Sequence, residues 1–260
     1  MLVLPGDMPL LRPSSIAELV RVHRETGAAC TVLTAIVDEP GRLGRIVRGK
    51  DDQVTKIVEA ADASPEEVEI REINTAVYCF RQSLLAPALR RITPENAQGE
   101  YYLTDVVGVL RDAGYRVAAV QVSDPAEGEG INDREQLASA EAELRRRTNE
   151  AWLRAGVTLV DPANTYLDAT VKLGADVTLF PGTILQGDTV IGAGSEIGPN
   201  TRLVDCVVGD GCVVEQSNGR DAEVGAGCVV GPFAFLAPGA QIPDGTVTGP
   251  FYAASGPDDA

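Results

Sequence analysis

A small set of polar side chains has the types and positions needed to bind a metal ion and a phosphorylated ligand. The first is Asp7, which follows Gly6 after an apolar run at the N-terminus. A carboxylate at the carboxyl edge of a parallel sheet lies where α/β folds bind ligands. Mg²⁺ is commonly held by one or two carboxylates together with phosphate oxygens. On its own, Gly-Asp followed closely by Pro9 is more often an ordinary surface turn.

Further polar residues with binding chemistry follow Asp7 along the chain. Glu59 carries hydrogen-bond acceptors, and Asn74 carries both a donor and an acceptor. Taken singly, each has a plain structural interpretation, with Glu59 as a solvated charge at a strand end and Asn74 as a partner of a neighbouring loop. The segments, in chain order, are Leu43-Gly44-Arg45-Ile46, Ile57-Val58-Glu59, Glu72-Ile73-Asn74-Thr75, Asn96-Ala97-Gln98-Gly99-Glu100-Tyr101-Tyr102-Leu103-Thr104-Asp105 and Glu129-Gly130-Ile131-Asn132-Asp133-Arg134.

Composition and charge exclude several classes of partner. The 260 residues include 22 Lys and Arg against 38 Asp and Glu, a net charge of −16, whereas nucleic acids and anionic membranes require a basic surface. No run approaches the roughly 20 apolar residues that cross a bilayer, and the start lacks the basic region of a signal peptide. The five cysteines form no Cys-x-x-Cys pair, so we expect neither disulfides nor a zinc site, and the pattern favours the cytoplasm.

The first half of the chain alternates strand-like and helix-like segments. Short runs rich in Val, Ile, Thr and Tyr predict strands at residues 2–4, 31–37, 54–58, 74–80 and 117–122. Amphipathic patterns predict helices at residues 83–91 and 103–113, and Ser15 with Glu18 predicts a capping box at the start of an earlier helix. Such alternation is typical of a doubly wound α/β layer.

From residue 171 onward the sequence repeats every six residues. The aliphatic column is Leu173, Leu179, Leu185, Ile191, Ile197 and Leu203. A second column, two residues earlier, is Val171, Val177, Thr183, Thr189, Ser195, Thr201, Val207 and Val213. After an interruption at residues 216–222, the columns resume as Val224, Val230, Leu236 and Ile242, and as Ala222, Cys228, Ala234 and Ala240. Six residues per side and three sides per coil are the pattern of a left-handed parallel β-helix.

The ordered motifs and the repeat together closely resemble the bacterial bifunctional N-acetylglucosamine-1-phosphate uridylyltransferase/glucosamine-1-phosphate N-acetyltransferase family. The likeness covers nearly the whole chain, and its most specific parts are the run from Asn96 to Asp105 and the junction between a helical arm and the repeats. It implies an α/β fold in which a partial doubly wound nucleotidyltransferase sheet is joined by a long helix to a left-handed parallel β-helix. The implied segments are a partial sugar-nucleotidyltransferase domain at 1–132, a connecting helix at 133–156, a truncated β-helix at 157–251 and a disordered tail at 252–260.

The resemblance also implies a reaction and its ligands. UTP and N-acetylglucosamine 1-phosphate would give UDP-N-acetylglucosamine and pyrophosphate, in the synthesis of peptidoglycan precursors. By the family's pattern, Asp7 and Asn132 would hold Mg²⁺, and the chain would form a homotrimer through its β-helix. The implied substrate-binding residues are Gly6, Asp7, Gly44, Glu59, Asn74, Tyr102, Thr104 and Asn132.

Two features of the family have no counterpart in this sequence. The Gly-rich loop that binds the nucleotide phosphates would precede Met1, and Pro5 stands where the family usually has an aromatic residue. The family's acetyltransferase histidine would lie beyond Ala260, and the single histidine here is His23 in the first half. We therefore expect neither uridylyl nor acetyl transfer from this chain alone. Two other functions stay open: a non-catalytic protein that uses the β-helix for assembly, and a nucleotidyltransferase for another sugar phosphate.

Overall fold

A computed structural model of the chain describes residues 1–50 and 52–256. It contains two compact units, Met1–Ala140 and Glu141–Ala260, and the division falls within a long helix, Arg134–Arg154. No helix in the described residues is both long enough and apolar enough to span a membrane.

The first unit is built on one six-stranded sheet. Its strands are β1 (Leu2–Val3), β2 (Cys30–Ile36), β3 (Arg45–Arg48), β4 (Val54–Val58), β5 (Glu72–Phe80) and β6 (Val117–Gln121). The helices are α1 (Pro13–Thr26), α2 (Pro65–Val68), α3 (Gln82–Leu89), α4 (Asp105–Asp112) and α5 (Arg134–Arg154), with a 3₁₀ turn at Pro125–Gly128. The predicted segments are all present, each boundary within two residues, whereas β3 and α2 were not predicted.

The sheet is mixed rather than parallel. Its order is β4-β3-β5-β2-β6, with β1 paired to β5. β2 and β6 run parallel, while β5 is antiparallel to β1, β2 and β3. The expectation that Asp7 follows a parallel strand is therefore wrong. The β3–β4 hairpin accounts for part of the difference, because antiparallel neighbours need only short connections, whereas parallel strands need a long crossover.

Both faces of the central strand β2 are buried, as in other α/β layers with helices on each side of the sheet. On one face, Val32 packs in a cluster with Leu85 of α3 and Leu110 of α4. On the other face, Leu33 lies in a cluster with Leu19 of α1. The predicted α/β class is confirmed.

Helix α1 begins at Pro13, ahead of the predicted capping box. Arg12 occupies the N-cap position without a side-chain cap. Ser15 lies inside the first turn, where its hydroxyl donates to the Glu127 carboxylate at 2.6 Å. Proline suits the first helical position because its φ is already helical and it has no N–H to satisfy. The predicted capping box at Ser15 is therefore wrong.

The single histidine is a structural residue of α1 and leads to a pH-dependent prediction. The Nδ1 atom of His23, a half-buried residue, lies 2.9 Å from the Thr31 hydroxyl. Burial, and then the positive charges of the N-terminus and Arg81, lower the pKa of His23 from its ordinary 6.5. Because the unfolded chain binds this proton more readily, we expect the free energy of unfolding to decrease as the pH falls below that value.

Urea unfolding near neutral pH and again about two pH units lower measures this effect. The decrease should be smaller in His23→Gln, which cannot take up the proton. An identical pH dependence in the wild type and the variant would contradict the assignment.

Helix α5 matches the connecting helix expected from the sequence. It ends at Arg154, and Gly156 follows with a φ of 95°. Of the apolar residues along it, Trp152 packs against the interior of the second unit, whereas Leu137 and Leu144 are exposed.

The second unit is a parallel β-helix with three faces. Face 1 consists of Thr158–Leu159, Thr178–Leu179, Glu196–Ile197, Val213–Val214 and Val229–Val230. Face 2 consists of Tyr166–Leu167, Ile184–Gln186, Arg202–Val204, Asn218–Arg220, Phe235–Leu236 and Ala253–Ala254. Face 3 consists of Lys172–Leu173, Val190–Ile191, Val207–Val208, Glu223–Val224 and Gln241–Ile242. A 3₁₀ turn at Pro162–Asn164 lies between the first strands of faces 1 and 2. This is the architecture of the left-handed β-helix that the repeat predicts.

The six-residue columns point into the coil as far as Leu203. The aliphatic column from Leu179 to Leu203 is at most 1 % exposed. The polar members of the second column are also buried, and they are Thr183, Thr189, Ser195 and Thr201. Their hydroxyls donate to main-chain carbonyls, as Thr183 does to Phe180 at 2.7 Å. These bonds satisfy the hydroxyls inside an otherwise apolar core.

The register of the columns changes after Leu203. Val207 is 47 % exposed and Val208 only 1 % exposed, so the next inward aliphatic position comes one residue early. The cause is a shorter corner, in which Asp205 adopts a left-handed φ of 53° and Cys206 takes the buried small-residue position. The predicted continuation of the second column at Val207 and Val213 is therefore wrong. Two more corners are shortened by one residue in the same way, with left-handed φ values of 43° at Gln216 and 47° at Asp221, and they produce the apparent interruption at residues 216–222.

The coil continues past residue 251. Ala253–Ala254 pairs in parallel with Phe235–Leu236, and the side chain of Ala254 is buried. The expectation of a disordered tail is therefore wrong for these two residues, because their main-chain groups extend face 2. Residues 257–260 of that predicted tail lie outside the described residues.

Candidate functional site

A cleft of about 850 Å³ opens beside the end of β1 in the first unit. Its walls include Asp7, Asn74 and the segment that leads into α5. Asp7 is exposed, and its main-chain oxygen accepts a hydrogen bond from the N–H of Ile131 at 2.9 Å. This bond holds the chain after β1 against the segment that carries Asn132.

Asn132 lines the same cleft as Asp7 and lies just before α5. Its N–H donates to Oε1 of Gln136 at 2.6 Å, and the N–H of Gln136 donates to Oδ1 of Asp133 at 2.8 Å. A Cβ atom on Gly130 would lie 3.1 Å from Oδ2 of Asp7, so a residue without a side chain leaves room for that carboxylate. The structure thus brings together the two predicted metal ligands.

Asn74 is positioned by an irregularity in β5. The register of the β2–β5 pair shifts between Val32 and Thr34, and Ala76 has a left-handed φ of 59°. The N–H of Ala76 donates to Oδ1 of Asn74 at 3.0 Å, and the N–H of Asn74 donates to the carbonyl of Gly44 at 2.9 Å. Irregularities of this kind re-aim side chains beside functional sites, and here Asn74 lines the cleft while remaining largely buried.

The conformation of Ala76 predicts a stabilising substitution. The left-handed region costs an L-residue about 1–2 kcal/mol relative to glycine, and the extra freedom of glycine in the unfolded chain offsets about half of this. We expect Ala76→Gly to raise the free energy of unfolding by about 0.5–1 kcal/mol. Ala142→Gly, at an exposed position of α5, should lower it by about as much. Urea denaturation measures both changes, and a less stable Ala76→Gly protein would contradict the interpretation.

A second cavity, of about 350 Å³, lies beside Glu59 and Tyr102. The hydroxyl of Thr104 donates to Oε1 of Glu59 at 2.9 Å. The Tyr102 hydroxyl is buried and has no hydrogen-bond partner among the residues described. Burial, followed by the carboxylates of Asp62 and Glu59, raises the pKa of Tyr102, so its hydroxyl stays a neutral donor. A polar ligand can satisfy a buried hydroxyl of this kind.

Gly44 contacts one residue from the wall of each cavity. Its carbonyl accepts the hydrogen bond from Asn74, which lines the larger cleft. A Cβ atom on Gly44 would lie 3.3 Å from Oε2 of Glu59 and 3.3 Å from the side chain of Ile57. A larger residue would therefore press on the carboxylate that lines the smaller cavity. Gly44 joins the wall of one cavity to the wall of the other.

Six of the eight predicted residues fall into two groups, Gly44 contacts a member of each, and Gly6 belongs to neither. The larger cleft is lined by Asp7, Asn74 and Asn132, and the smaller cavity by Glu59 and Tyr102, with Thr104 bonded to Glu59. Gly6 is the exception. It is exposed and lines neither cavity, and a Cβ atom there would meet nothing within 4 Å.

A buried carboxylate that no sequence pattern indicates supports the wall of the larger cleft. Glu127 is 1 % exposed, and its Oε2 accepts hydrogen bonds from the N–H of Arg12 at 3.0 Å and the hydroxyl of Ser15 at 2.6 Å. The Arg12 guanidinium also bonds to Asp124 at 2.6 Å. Glu127 thus ties the 3₁₀ turn to α1 and supports the segment that runs on to Asn132. Nothing in the sequence distinguishes this glutamate from the many exposed ones.

Comparison with known proteins identifies the family. The Nucleotidyl transferase family model matches residues 1–153. Bifunctional protein GlmU of Pseudarthrobacter chlorophenolicus is 48 % identical over 247 residues, which cover 95 % of this chain and 50 % of that protein. Proteins of the same name from Desulfitobacterium hafniense and Pelotomaculum thermopropionicum are 46 % and 48 % identical over 250 residues, covering 96 % of this chain and 55 % of theirs.

The chain spans about half the length of the curated relatives that it matches. The matched region 1–153 contains all residues that line the two cavities. Because this region is more than half of the 260 residues, the chain belongs to the Nucleotidyl transferase family.

Proposed function

We propose that the first unit binds N-acetylglucosamine 1-phosphate as the acceptor in uridylyl transfer from UTP. The observation that carries this proposal is the smaller cavity, where the unpartnered hydroxyl of Tyr102 lies with the carboxylate of Glu59. A sugar offers several hydroxyls that can satisfy both groups. Membership of the Nucleotidyl transferase family and likeness to proteins named GlmU support a sugar-nucleotide product.

The polar groups of the two cavities suit an N-acetylated sugar. Thr104 engages Oε1 of Glu59, and Oε2 lies next to Gly44, where it can accept from a sugar hydroxyl. Ala76 engages Oδ1 of Asn74, so Asn74 can offer an amide N–H to the carbonyl of the acetamide. Fixed polar groups of this kind orient a ligand within its site.

Asp7 and Asn132 suit Mg²⁺ by their chemistry. Each offers a side-chain oxygen, the ligand type that Mg²⁺ prefers, and both line one cleft. No cluster of three or more His, Cys, Asp and Glu side chains that could hold a metal occurs among the described residues, so substrate oxygens would complete the coordination. Bound there, Mg²⁺ would neutralise charge on the phosphates of the substrates.

The proposed reaction is a single in-line displacement. An oxygen of the sugar phosphate attacks the α-phosphorus of UTP and forms a new P–O bond, while the bond to the bridging oxygen breaks and pyrophosphate leaves. Such chemistry depends on positioning and charge stabilisation rather than on a protein nucleophile. Glu59, Asn74 and Gly44 would hold the sugar so that its phosphate oxygen is aligned for attack.

The β-helix is proposed to assemble the protein, as a homotrimer, rather than to carry out a second reaction. The single histidine of the chain, His23, lies on α1 in the first unit, so it supplies no base on the β-helix for acetyl transfer. The five cysteines are buried free thiols, which suits a reducing compartment. We propose a cytoplasmic location on this basis.

Titration with N-acetylglucosamine 1-phosphate, followed by NMR, tests the proposed function. Glu59→Gln removes a charged acceptor, and we expect it to weaken binding about tenfold or more. Glu66→Gln, on the exposed side of α2, is the matched control and should bind like the wild type. Tighter binding of glucose 1-phosphate would identify a different substrate, and no binding of any sugar phosphate would favour a non-catalytic role.

A further inference from the structure

One basic side chain lines both cavities of the first unit. Arg42 belongs to the wall of the larger cleft, with Asp7 and Asn74, and to the wall of the smaller cavity, with Glu59 and Tyr102. Among the described residues that line either cavity, Arg42 is the single Lys, Arg or His. It is exposed and forms no ion pair within the part of the chain described. Its side chain therefore adjoins both cavities.

The backbone that presents Arg42 is held on both sides. The neighbouring residue Arg45 is 3 % exposed, and its guanidinium donates to the carbonyls of Gly41, at 3.0 Å, and of Leu43. The N–H of Leu43 donates to the carbonyl of Pro40 at 3.1 Å. Arg42 thus projects from a closed turn whose flanking carbonyls are tied to a buried cation. A turn fixed in this way presents its side chain at a defined place.

The larger cleft is rich in negative charge, so one cation in its wall affects whether an anionic ligand can bind. Five carboxylates line this cleft, and they are Asp7, Glu39, Glu129, Asp133 and Glu135. A phosphate entering such a cleft would be repelled unless positive charge were supplied nearby. Arginine is suited to this because its planar guanidinium can donate two hydrogen bonds to one phosphate.

We propose that Arg42, which lines both cavities, binds the phosphate of the sugar 1-phosphate on the side of the cleft of Asp7 and Asn132. This inference rests on the proposed function, because it takes the sugar to occupy the cavity beside Glu59 and Tyr102. With the sugar there, a phosphate on its first carbon reaches toward the larger cleft past Arg42. Arg42 then selects phosphorylated sugars over neutral ones.

The test compares two ligands that differ in the phosphate, N-acetylglucosamine 1-phosphate and the neutral methyl α-N-acetylglucosaminide. NMR titration of the full chain, with Mg²⁺ and without it, gives Kd for each. We expect the wild type to bind the phosphorylated sugar about tenfold more tightly, and Arg42→Ala to lose most of this difference while keeping its affinity for the neutral glycoside. Arg42→Lys should retain part of the preference. Arg91→Ala, at an exposed position that lines neither cavity, should behave as the wild type.

The results of these titrations distinguish a failure of the role proposed for Arg42 from a failure of the proposed function. An unchanged preference for the phosphorylated sugar in Arg42→Ala, or equal losses for both ligands, would overturn the role of Arg42 and leave the sugar site intact. If the wild type bound neither ligand, the proposed function would fail and the inference with it. Circular dichroism of each variant establishes that the fold is unchanged.

Discussion

Val208→Asp is expected to unfold the β-helix under conditions in which the wild type is folded. Val208 is 1 % exposed, belongs to the core cluster of the coil and stacks between Ile191 and Val224 of the adjacent coils. A carboxylate at this position would be buried without a partner, which we expect to cost about 4 kcal/mol or more. This is a large share of the roughly 5–15 kcal/mol that stabilises a typical domain. Urea denaturation of the full chain and amide hydrogen exchange measure the loss and locate it.

Val207→Asp is the matched control, because it makes the same change one residue earlier. Val207 is 47 % exposed, so its carboxylate would remain in water and we expect a change of about 0.5 kcal/mol or less. The pair of variants also tests the register of the coil. A strict six-residue spacing would put Val207 inside and Val208 outside, so equal or reversed effects would contradict the shortened corner at Asp205.

Glu127→Ala is expected to destabilise the first unit by about 2–3 kcal/mol. The substitution leaves the N–H of Arg12 and the hydroxyl of Ser15 without the acceptor that they share. It also removes the carboxylate that lies 3.7 Å from the Arg12 guanidinium. Because Glu127 supports the segment that leads to Asn132, we expect weaker Mg²⁺-dependent binding of the sugar phosphate as well. Urea unfolding and NMR titration measure the two effects.

Two further variants test whether the effect of Glu127→Ala comes from the hydrogen bonds that Glu127 accepts. Glu129→Ala removes an exposed carboxylate from the same segment and should change stability by no more than about 0.5 kcal/mol. Glu127→Gln keeps an acceptor oxygen and should lie between Glu127→Ala and the wild type. If Glu127→Ala were as stable as Glu129→Ala, the hydrogen bonds to Arg12 and Ser15 would contribute nothing to the fold.

The β-helix could be predicted from the sequence because its inward positions recur without exception from Leu173 to Leu203. Each side of the coil repeats one local geometry, so the spacing of aliphatic residues reports the structure directly. The prediction failed at Val207, where one residue is missing from a corner. Loops of different lengths can connect two sides of the coil, and the predicted aliphatic column resumes in the sequence only at Val224. Contact between adjacent coils decides the register there.

The residues that line the two cavities could be named from the sequence more readily than their geometry. The ordered motifs name Asp7, Glu59, Asn74 and Asn132, which line the two cavities, and their roles in binding stay a prediction. The antiparallel pairing of β1 was not predicted, because strand direction depends on long-range contacts that no local pattern records.

Two residues with strong roles in the structure had no distinguishing sequence signal. Glu127 supports the cleft wall because it is buried, and the role proposed for Arg42 depends on its lining both cavities; both features emerge only in the folded chain. Arg42 is one of four basic residues between positions 42 and 50, so the sequence does not single it out.

A crystal structure of the chain with N-acetylglucosamine 1-phosphate and Mg²⁺ tests the sugar-phosphate site most directly. We predict that the sugar ring occupies the smaller cavity, with one of its polar groups bonded to the Tyr102 hydroxyl, which has no partner among the described residues. The phosphate should lie beside Arg42, on the side of the larger cleft. Sugar bound outside these cavities, or a bound sugar that leaves Tyr102 without a partner, would contradict the assignment.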